Sequence, residues 1–421
     1  MNVQPDGDRF VYKKYGVARL QNTAMVFFML SLNFETWDLL GLQIDYLVIK
    51  ITFVIYLLSI LITPSVFFSF RKHRSFFLTI FSYFALLTVI SYLNINGVSS
   101  VYFDSQFFIN LVIFLLFVNH FSVRYHMVSK CFIAYAISAF LLSLFYFTGI
   151  NVDTNIGGRV SILGENPNNI GINFVIACTM IFSLVFENKF KLGAWRICLL
   201  FIVPFLLVVI VQTGSRLATL SLFLIVMAYI VLWNSKNLGY KLLFIFSGAL
   251  VMGLLFLYFS ANSIIADRLS SSINSGEIGN RDLLWAKIIP LILDNLFWGV
   301  GITGYAGKQM SVFDSFASPH NGIIESLCYT GIIGTSILLL FLVRIFRKAV
   351  RRRFVRGEIV YMAFCISILG VLLSAQIFQQ KIIWILCAFI LAEPYSENNG
   401  QPAEIQTPET NPTGNLNTAN T

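Results

Sequence analysis

The segment SPHNGIIESLCYTGIIGTSILLLFLV, residues 318–343, passes from polar to apolar within a few positions and then carries one charge, Glu325. An apolar run of about 20 residues matches the roughly 30 Å hydrocarbon core of a bilayer. The spacing predicts a membrane helix over 321–343, with Ser318 as its N-cap and Pro319 in its first turn. His320 and Asn321 then fall in the exposed first turn, and Glu325 shares a helix face with Asn321.

Runs of the same kind recur along the chain. Expected spans are 18–34, 45–69, 76–95, 105–121, 129–149, 168–187, 193–212, 216–233, 240–259, 321–343, 358–376 and 381–393. The last is short for a full crossing. The chain has 421 residues, 57% hydrophobic and only 12% charged, where a soluble domain carries about 25% charge. The fold class is therefore an all-α polytopic membrane protein. About 12 transmembrane helices are expected, with one long extracytoplasmic loop holding a short amphipathic helix. The organisation reads as a polar N-terminal segment at 1–17, helices one to nine over 18–259, a long loop at 260–320, helices ten to twelve over 321–393, and a tail at 394–421. That tail is rich in Asn, Thr, Pro and Gln, has no apolar period and is expected to be disordered. All six cysteines lie in apolar runs without metal-ligand spacing, so buried thiols rather than disulfides are expected.

The net charge of +9 does not point to nucleic acid, because its placement has another cause. Sorted by alternating side, 21 of the 29 Lys and Arg fall on one side, including Arg71, Arg124 and the cluster Arg344 to Arg356. The positive-inside rule makes that side cytoplasmic, with both termini inside. Eight cations remain outside or within spans: Lys50, Arg159, Arg216, Arg268, Arg281, Lys287, Lys308 and Lys381.

Half of those eight are arginines. Arginine forks match phosphate oxygens bidentately and keep their charge at any relevant pH. Arg216 follows Gln212-Thr213-Gly214-Ser215 between two apolar runs with almost no loop. A cation at that depth needs an anionic partner, from the protein or from a substrate. Arg281 follows Asn280, which caps an amphipathic helix running to about Leu296. Pro290 should kink that helix, and Asp282 is an alternative partner for Arg281. Leu284, Trp285, Ile288, Leu291 and Ile292 share its apolar face. Arg159 precedes the turn Asn166-Pro167-Asn168-Asn169, which reads either as a helix cap or as a sugar contact.

By the positive-inside assignment, His320 is the only one of four histidines outside the cytoplasm. It reads either as a solvated helix-start residue or as a general base. The positive end of a helix favours the neutral imidazole, the form that accepts a proton. Glu325 is placed to orient it or to pair with an arginine. No DxD-type carboxylate pair, P-loop or zinc signature is present, so a nucleotide-sugar donor is not expected.

Four local patterns in this order resemble the O-antigen polymerase and ligase superfamily. They are Arg159 with Gly164-Glu165-Asn166-Pro167-Asn168 and Gly171; Thr213-Gly214-Ser215-Arg216; Arg281-Asp282-Leu283-Leu284-Trp285 with Asn295 and Gly299-Val300-Gly301; and His320-Asn321 with Glu325 and Gly331-Ile332-Ile333-Gly334. The resemblance implies a bacterial inner-membrane glycosyltransferase without metal or other cofactor. Its donor is a glycan on undecaprenyl pyrophosphate, and a sugar hydroxyl displaces the lipid pyrophosphate with inversion. Arg216, Arg281 and Arg159 would hold the pyrophosphate and His320 would take the acceptor proton, supported by Asn321, Glu325, Asn166, Asn168 and Arg268. The partners implied are lipid-linked glycan, an acceptor glycan or lipid, membrane lipid and other polysaccharide-assembly proteins. Polymerase of O-antigen, capsule or exopolysaccharide repeats is the favoured reading, with ligase to lipid A-core as the alternative. A flippase for lipid-linked sugar is the reading from another class.

Overall fold

The computed structural model describes every residue except 1–6, 39–45, 71–72, 95–100, 157, 188–192, 233–245, 247–252, 254–280, 314–317, 375 and 394–421. The expected span 240–259, Arg268 and the 394–421 tail therefore lie outside the described residues. Among the described residues, six helices are long and apolar enough to cross a membrane: Arg74–Leu93, Gln106–Val123, Met127–Thr148, Pro167–Phe186, Trp195–Gln212 and Gly322–Arg356. Four shorter apolar helices join them.

In chain order the elements are α1 (Gly7–Ser31), α2 (Leu47–Ile60), α3 (Pro64–Phe67), α4 (Arg74–Leu93), α5 (Val101–Val123) and α6 (Met127–Thr148). A hairpin of β1 (Val152–Ile156) and β2 (Arg159–Ile162) follows, then α7 (Pro167–Phe186). A 3₁₀ segment (Ala194–Ile202) runs into α8 (Val203–Gln212), and α9 (Arg216–Leu232) follows. The remainder is α10 (Arg281–Asp294), α11 (Gly301–Phe313), α12 (Gly322–Arg356), α13 (Val360–Ser374) and α14 (Lys381–Leu391).

Several expected boundaries differ. The first helix starts at Gly7 rather than near 18. The run 45–69 is not one helix, because α2 ends at Ile60 and Pro64 opens a separate turn. The first half of 193–212 winds as a 3₁₀ helix. Among its described residues the long loop holds two helices, α10 and α11, where one was expected. The hairpin is an addition to the all-α class, pairing Val152 with Ile162 and Ile156 with Arg159. Cys198 is exposed, unlike the buried thiols expected, and all six cysteines are free.

Two helices fill the centre. In α7, 83% of the most apolar window is buried, against α6, α8, α9 and α13. Every residue of α14 is buried, against α5, α12 and α13. A helix apolar on all sides belongs in such a position. At 11 residues α14 is about 16 Å long, too short to cross the membrane alone. The chain reaches its start through residues 376–380, whose Phe378 stacks on Tyr83 at 5.5 Å and whose Phe378 carbonyl accepts from Asn110 Nδ2 at 2.5 Å. Non-helical backbone at that depth is tolerated because protein supplies its partners.

Helix α12 is broken at Gly331 (φ 60°, ψ −162°). The turn after α10 closes the break. Ile332 N donates to Leu296 O at 2.8 Å, and Val300 N donates to Cys328 O at 2.8 Å. A Cβ on Gly331 would lie 2.4 Å from the Phe297 carbonyl carbon, and one on Gly299 would lie 2.6 Å from Gly331 N. Backbone meets backbone here, which only glycine permits. Beyond the break α12 runs on past Val343 through the basic cluster to Arg356, farther than the expected span.

Hydrogen bonds sort the helix ends into two groups. Arg344 donates to Ser75 Oγ at 2.5 Å, Arg352 to Tyr125 OH at 2.9 Å, and Val360 N to Glu187 Oε1 at 2.8 Å. These join the cation-rich loops at one end. The hairpin, the α8–α9 turn, the start of α12 and the α13–α14 connection gather at the other, each at the far end of the helix it shares with a basic loop.

Candidate active site

At the end opposite the basic loops the hairpin is fastened to two helix starts. Arg159 Nε donates to Thr213 O at 2.8 Å and its Nη2 donates to Asn168 Oδ1 at 2.7 Å. Asn166 is the N-cap of α7, its side chain accepting from Asn168 N at 2.9 Å, with Pro167 in the first turn. This is the capping alternative for Asn166, and it presents Asn168 to Arg159. A Cβ on Gly171 would sit 2.9 Å from Ala218 Cβ and 3.1 Å from Thr213 Oγ1, so α7 lies tightly against the α8–α9 turn. Thr213 donates to Ile210 O at 2.6 Å, and Ser215 Oγ accepts from Ala218 N at 3.4 Å. Arg216 is thereby held at the first position of α9, half-buried.

The His320 loop has a different cap from the one expected. Asn321 is the N-cap of α12, accepting from Ile323 N at 3.0 Å and Ile324 N at 3.1 Å. Ser318 Oγ instead accepts from His320 N at 3.2 Å. Pro319 and His320 lie just outside the helix, and His320 is left-handed at φ 49°. That conformation costs a non-glycine residue about 1–2 kcal/mol. The loop is held from the side by α10, where Trp285 Nε1 donates to Pro319 O at 2.9 Å. Arg281 is the first residue of that helix, one turn before Trp285. The α10 face formed by Leu284, Ile288, Leu291 and Ile292 is turned inward, with Lys287, Ile289 and Leu293 exposed. The helix continues through Pro290 and ends at Asp294.

His320 lines a cavity of about 110 Å³ with Asn166 and Asn168. Its other walls come from elements distant in sequence: Asn33 and Glu35 after α1, Glu165 and Asn169 at the start of α7, Gln376, Gln379 and Gln380 before α14, and Lys381 at the first position of α14. Lys381 is ion-paired with Glu35, and its Nζ lies 5.2 Å from the Tyr46 ring centre. Gln380 Nε2 donates to Asn169 Oδ1 at 2.6 Å, and Asn169 Nδ2 donates to Glu165 Oε1 at 2.7 Å. Burial, and next the nearby Glu35 carboxylate, push the Glu165 carboxyl above the usual carboxylate range. Arg159, Arg216, Asn321 and Glu325 do not line the cavity. Glu325 is buried, with Oε1 accepting from Tyr329 OH at 3.2 Å.

The arrangement places an imidazole against a polar cavity, with Arg159 bonded to one of the cavity's own asparagines. Residues 199–339 match a family model described as O-Antigen ligase. That match, over a third of the chain, supports membership of the O-antigen ligase-related superfamily. The family comprises glycosyltransferase-like enzymes, ligases and polymerases, that act on lipid-linked glycan and an acceptor. The matched stretch contains Arg216, Arg281 and His320 but not Arg159 or the Asn166 turn. No curated protein matches the chain.

Sequence reasoning missed Glu35, Lys381 and Gln380 as members of the site. A signal was present for two of them. Glu35 ends the first apolar run and Lys381 opens the last, each a lone charge where a span meets a polar segment. That the two charges meet follows only from the packing of α14 into the bundle.

Proposed function

We propose that this chain polymerises lipid-linked oligosaccharide repeat units of an O-antigen, capsule or exopolysaccharide. It acts in the bacterial inner membrane, with the cavity end extracytoplasmic, the basic end and both termini cytoplasmic, and other polysaccharide-assembly proteins as neighbours. The observation that carries the reading is His320 lining a polar cavity at the end of the bundle opposite the basic loops. Arg159, Arg216 and the start of α10 share that end.

In this reading the donor glycan hangs from undecaprenyl pyrophosphate. Arg216 and Arg281 neutralise the pyrophosphate by charge-assisted bonds. Arg159 contributes through Asn168 and the Thr213 carbonyl, which tie the hairpin to the α8–α9 turn. A hydroxyl of the acceptor sugar attacks the anomeric carbon from the face opposite the leaving group. The new C–O bond forms as the anomeric carbon–phosphate oxygen bond breaks, the hydroxyl proton passes to His320, and undecaprenyl pyrophosphate leaves. The anomeric centre inverts. The strained φ of His320 fits a residue held in place for such a task.

A second reading, transfer of finished polymer to lipid A-core or another acceptor, is favoured by the description of the matching family as O-Antigen ligase. The size distribution of lipid-linked and surface glycan in cells carrying only the His320→Ala protein separates the two. Single repeats without long chains identify a polymerase. Long chains stranded on the lipid carrier identify a ligase. Unchanged glycan, with the protein present in the membrane, removes His320 from the chemistry.

A further inference from the structure

Four residues lining the cavity carry an enclosed polar atom with no hydrogen-bond partner: the amide oxygens Asn33 Oδ1, Asn173 Oδ1 and Gln380 Oε1, and the Tyr135 hydroxyl. For two of them the polarity is dictated by their neighbours. Ser138 donates its only hydroxyl proton to Tyr135 O at 2.9 Å. It must therefore accept from Asn33 Nδ2 at 2.7 Å, which turns the Asn33 oxygen the other way. Gln380 donates to Asn169, Asn169 donates to Glu165 Oε1, and that oxygen also accepts from Asn166 N at 3.1 Å. The chain of donors runs one way and leaves the Gln380 oxygen as its open end. An enclosed acceptor without a donor is costly, so such groups call for an explanation.

The unpartnered groups around the cavity are thus three amide oxygens and one phenol hydroxyl, beside the carboxyls of Glu35 and Glu165. Among the described lining residues the one lysine or arginine, Lys381, is paired with Glu35. Phosphate brings only acceptors and negative charge, and is repelled by such walls. A sugar ring brings several hydroxyl donors. By the measure on which one water needs about 10–15 Å³, a cavity of about 110 Å³ takes a polar molecule on the scale of one sugar ring.

We infer that this cavity is the subsite for the acceptor sugar, with Asn33, Asn173 and Gln380 receiving its hydroxyl protons and His320 facing the hydroxyl that reacts. The inference rests on the transferase reading above. It divides the substrates by chemistry: the pyrophosphate belongs with the arginines, and the acceptor ring belongs with the amides. Asn173 and Gln380 are then residues that set acceptor specificity.

The test uses the full chain in lipid nanodiscs. The donor is the lipid-linked repeat unit from cells lacking this chain. The acceptor is the same repeat unit freed from its carrier by mild acid. Undecaprenyl pyrophosphate without sugar serves as a third probe. In Asn173→Ala and Gln380→Ala, the acceptor concentration for half-maximal extension should rise about tenfold. The maximal rate and the binding of undecaprenyl pyrophosphate should stay within about twofold. Gln380→Met keeps the volume and removes the acceptor, so a match between it and Gln380→Ala, at an unshifted melting temperature, excludes misfolding as the cause. Unchanged acceptor dependence in all three variants overturns the subsite. So does an equal loss of undecaprenyl pyrophosphate binding. A wild-type protein that extends nothing overturns the polymerase reading instead.

Discussion

Arg352 is buried at the basic end of the bundle, and Gln380 is partly buried at the other. Arg352 donates to Glu358 Oε2 at 2.7 Å, to the carbonyls of Phe389, Ile390 and Ala392, and to Tyr125 OH. Its guanidinium also lies 3.6 Å from the Tyr361 ring centre. The groups bonded to Arg352 close on one another and tie four helix ends together, whereas Glu187 Oε2 and Arg353 Nε at the same end have no hydrogen-bond partner. Around Gln380 the bonds run in one direction and stop at an open acceptor. A satisfied network holds a fold, whereas acceptors left open in a cavity ask for a ligand. The same residue classes, cations and amides at membrane helix ends, thus serve structure at one end and are placed for recognition at the other.

The contrast can be broken by substitution. The largest effect belongs to His320→Ala, which should lower glycan extension by about 100-fold to 10,000-fold, the range for a lost general base, while protein still reaches the membrane. Arg352→Ala should do the reverse. Removing one partner of a buried ion pair costs about 3–5 kcal/mol, so the purified protein should melt early and accumulate poorly. An Arg352→Ala protein of normal stability but impaired extension would erase the distinction between the two ends.

Trp285→Phe sharpens it. The substitution keeps the ring on the apolar face of α10 and removes the hydrogen bond to Pro319 O. With a bond of about 1 kcal/mol at stake, extension should fall roughly fivefold with little change in melting temperature. Equal activity would show that the His320 loop holds its shape without α10. The smallest effect concerns Glu165. Its carboxyl is raised above the ordinary range by burial and by Glu35, so the folded protein holds that proton more tightly than the unfolded chain. Stability is then lost as pH rises from the ordinary carboxylate value, about 4.3, through the raised one. Glu165→Gln should flatten that part of the melting profile, and an unchanged slope would place the Glu165 carboxyl in an ordinary environment.

Much of this was legible in the chain. The 3.6-residue period and the Asn280-Arg281 boundary located α10, and its inward face is the one read from Leu284, Trp285, Ile288, Leu291 and Ile292. The Gly299 and Gly331 patterns were visible as motifs, but their meaning was not. They permit two backbones to touch, and nothing local in either segment names the other. The cap of α12 was misplaced by three residues because Ser318, Asn321 and Pro319 all satisfy local rules. The choice among them was made by tertiary contacts, Trp285 holding Pro319 among them.

The chain by itself determined a membrane bundle with its cations gathered at one side, because bilayer thickness and charge burial act on each segment separately. It also marked His320, Arg159 and Arg216 as polar residues where apolar runs begin. Only the tertiary structure decided that Glu35, Glu165, Gln380 and Lys381 share a cavity with His320, and that Glu325 is buried against Tyr329. Those meetings depend on how α1, α7 and α14 pack, and packing is set by the summed complementarity of whole helix faces rather than by any residue's neighbours in sequence.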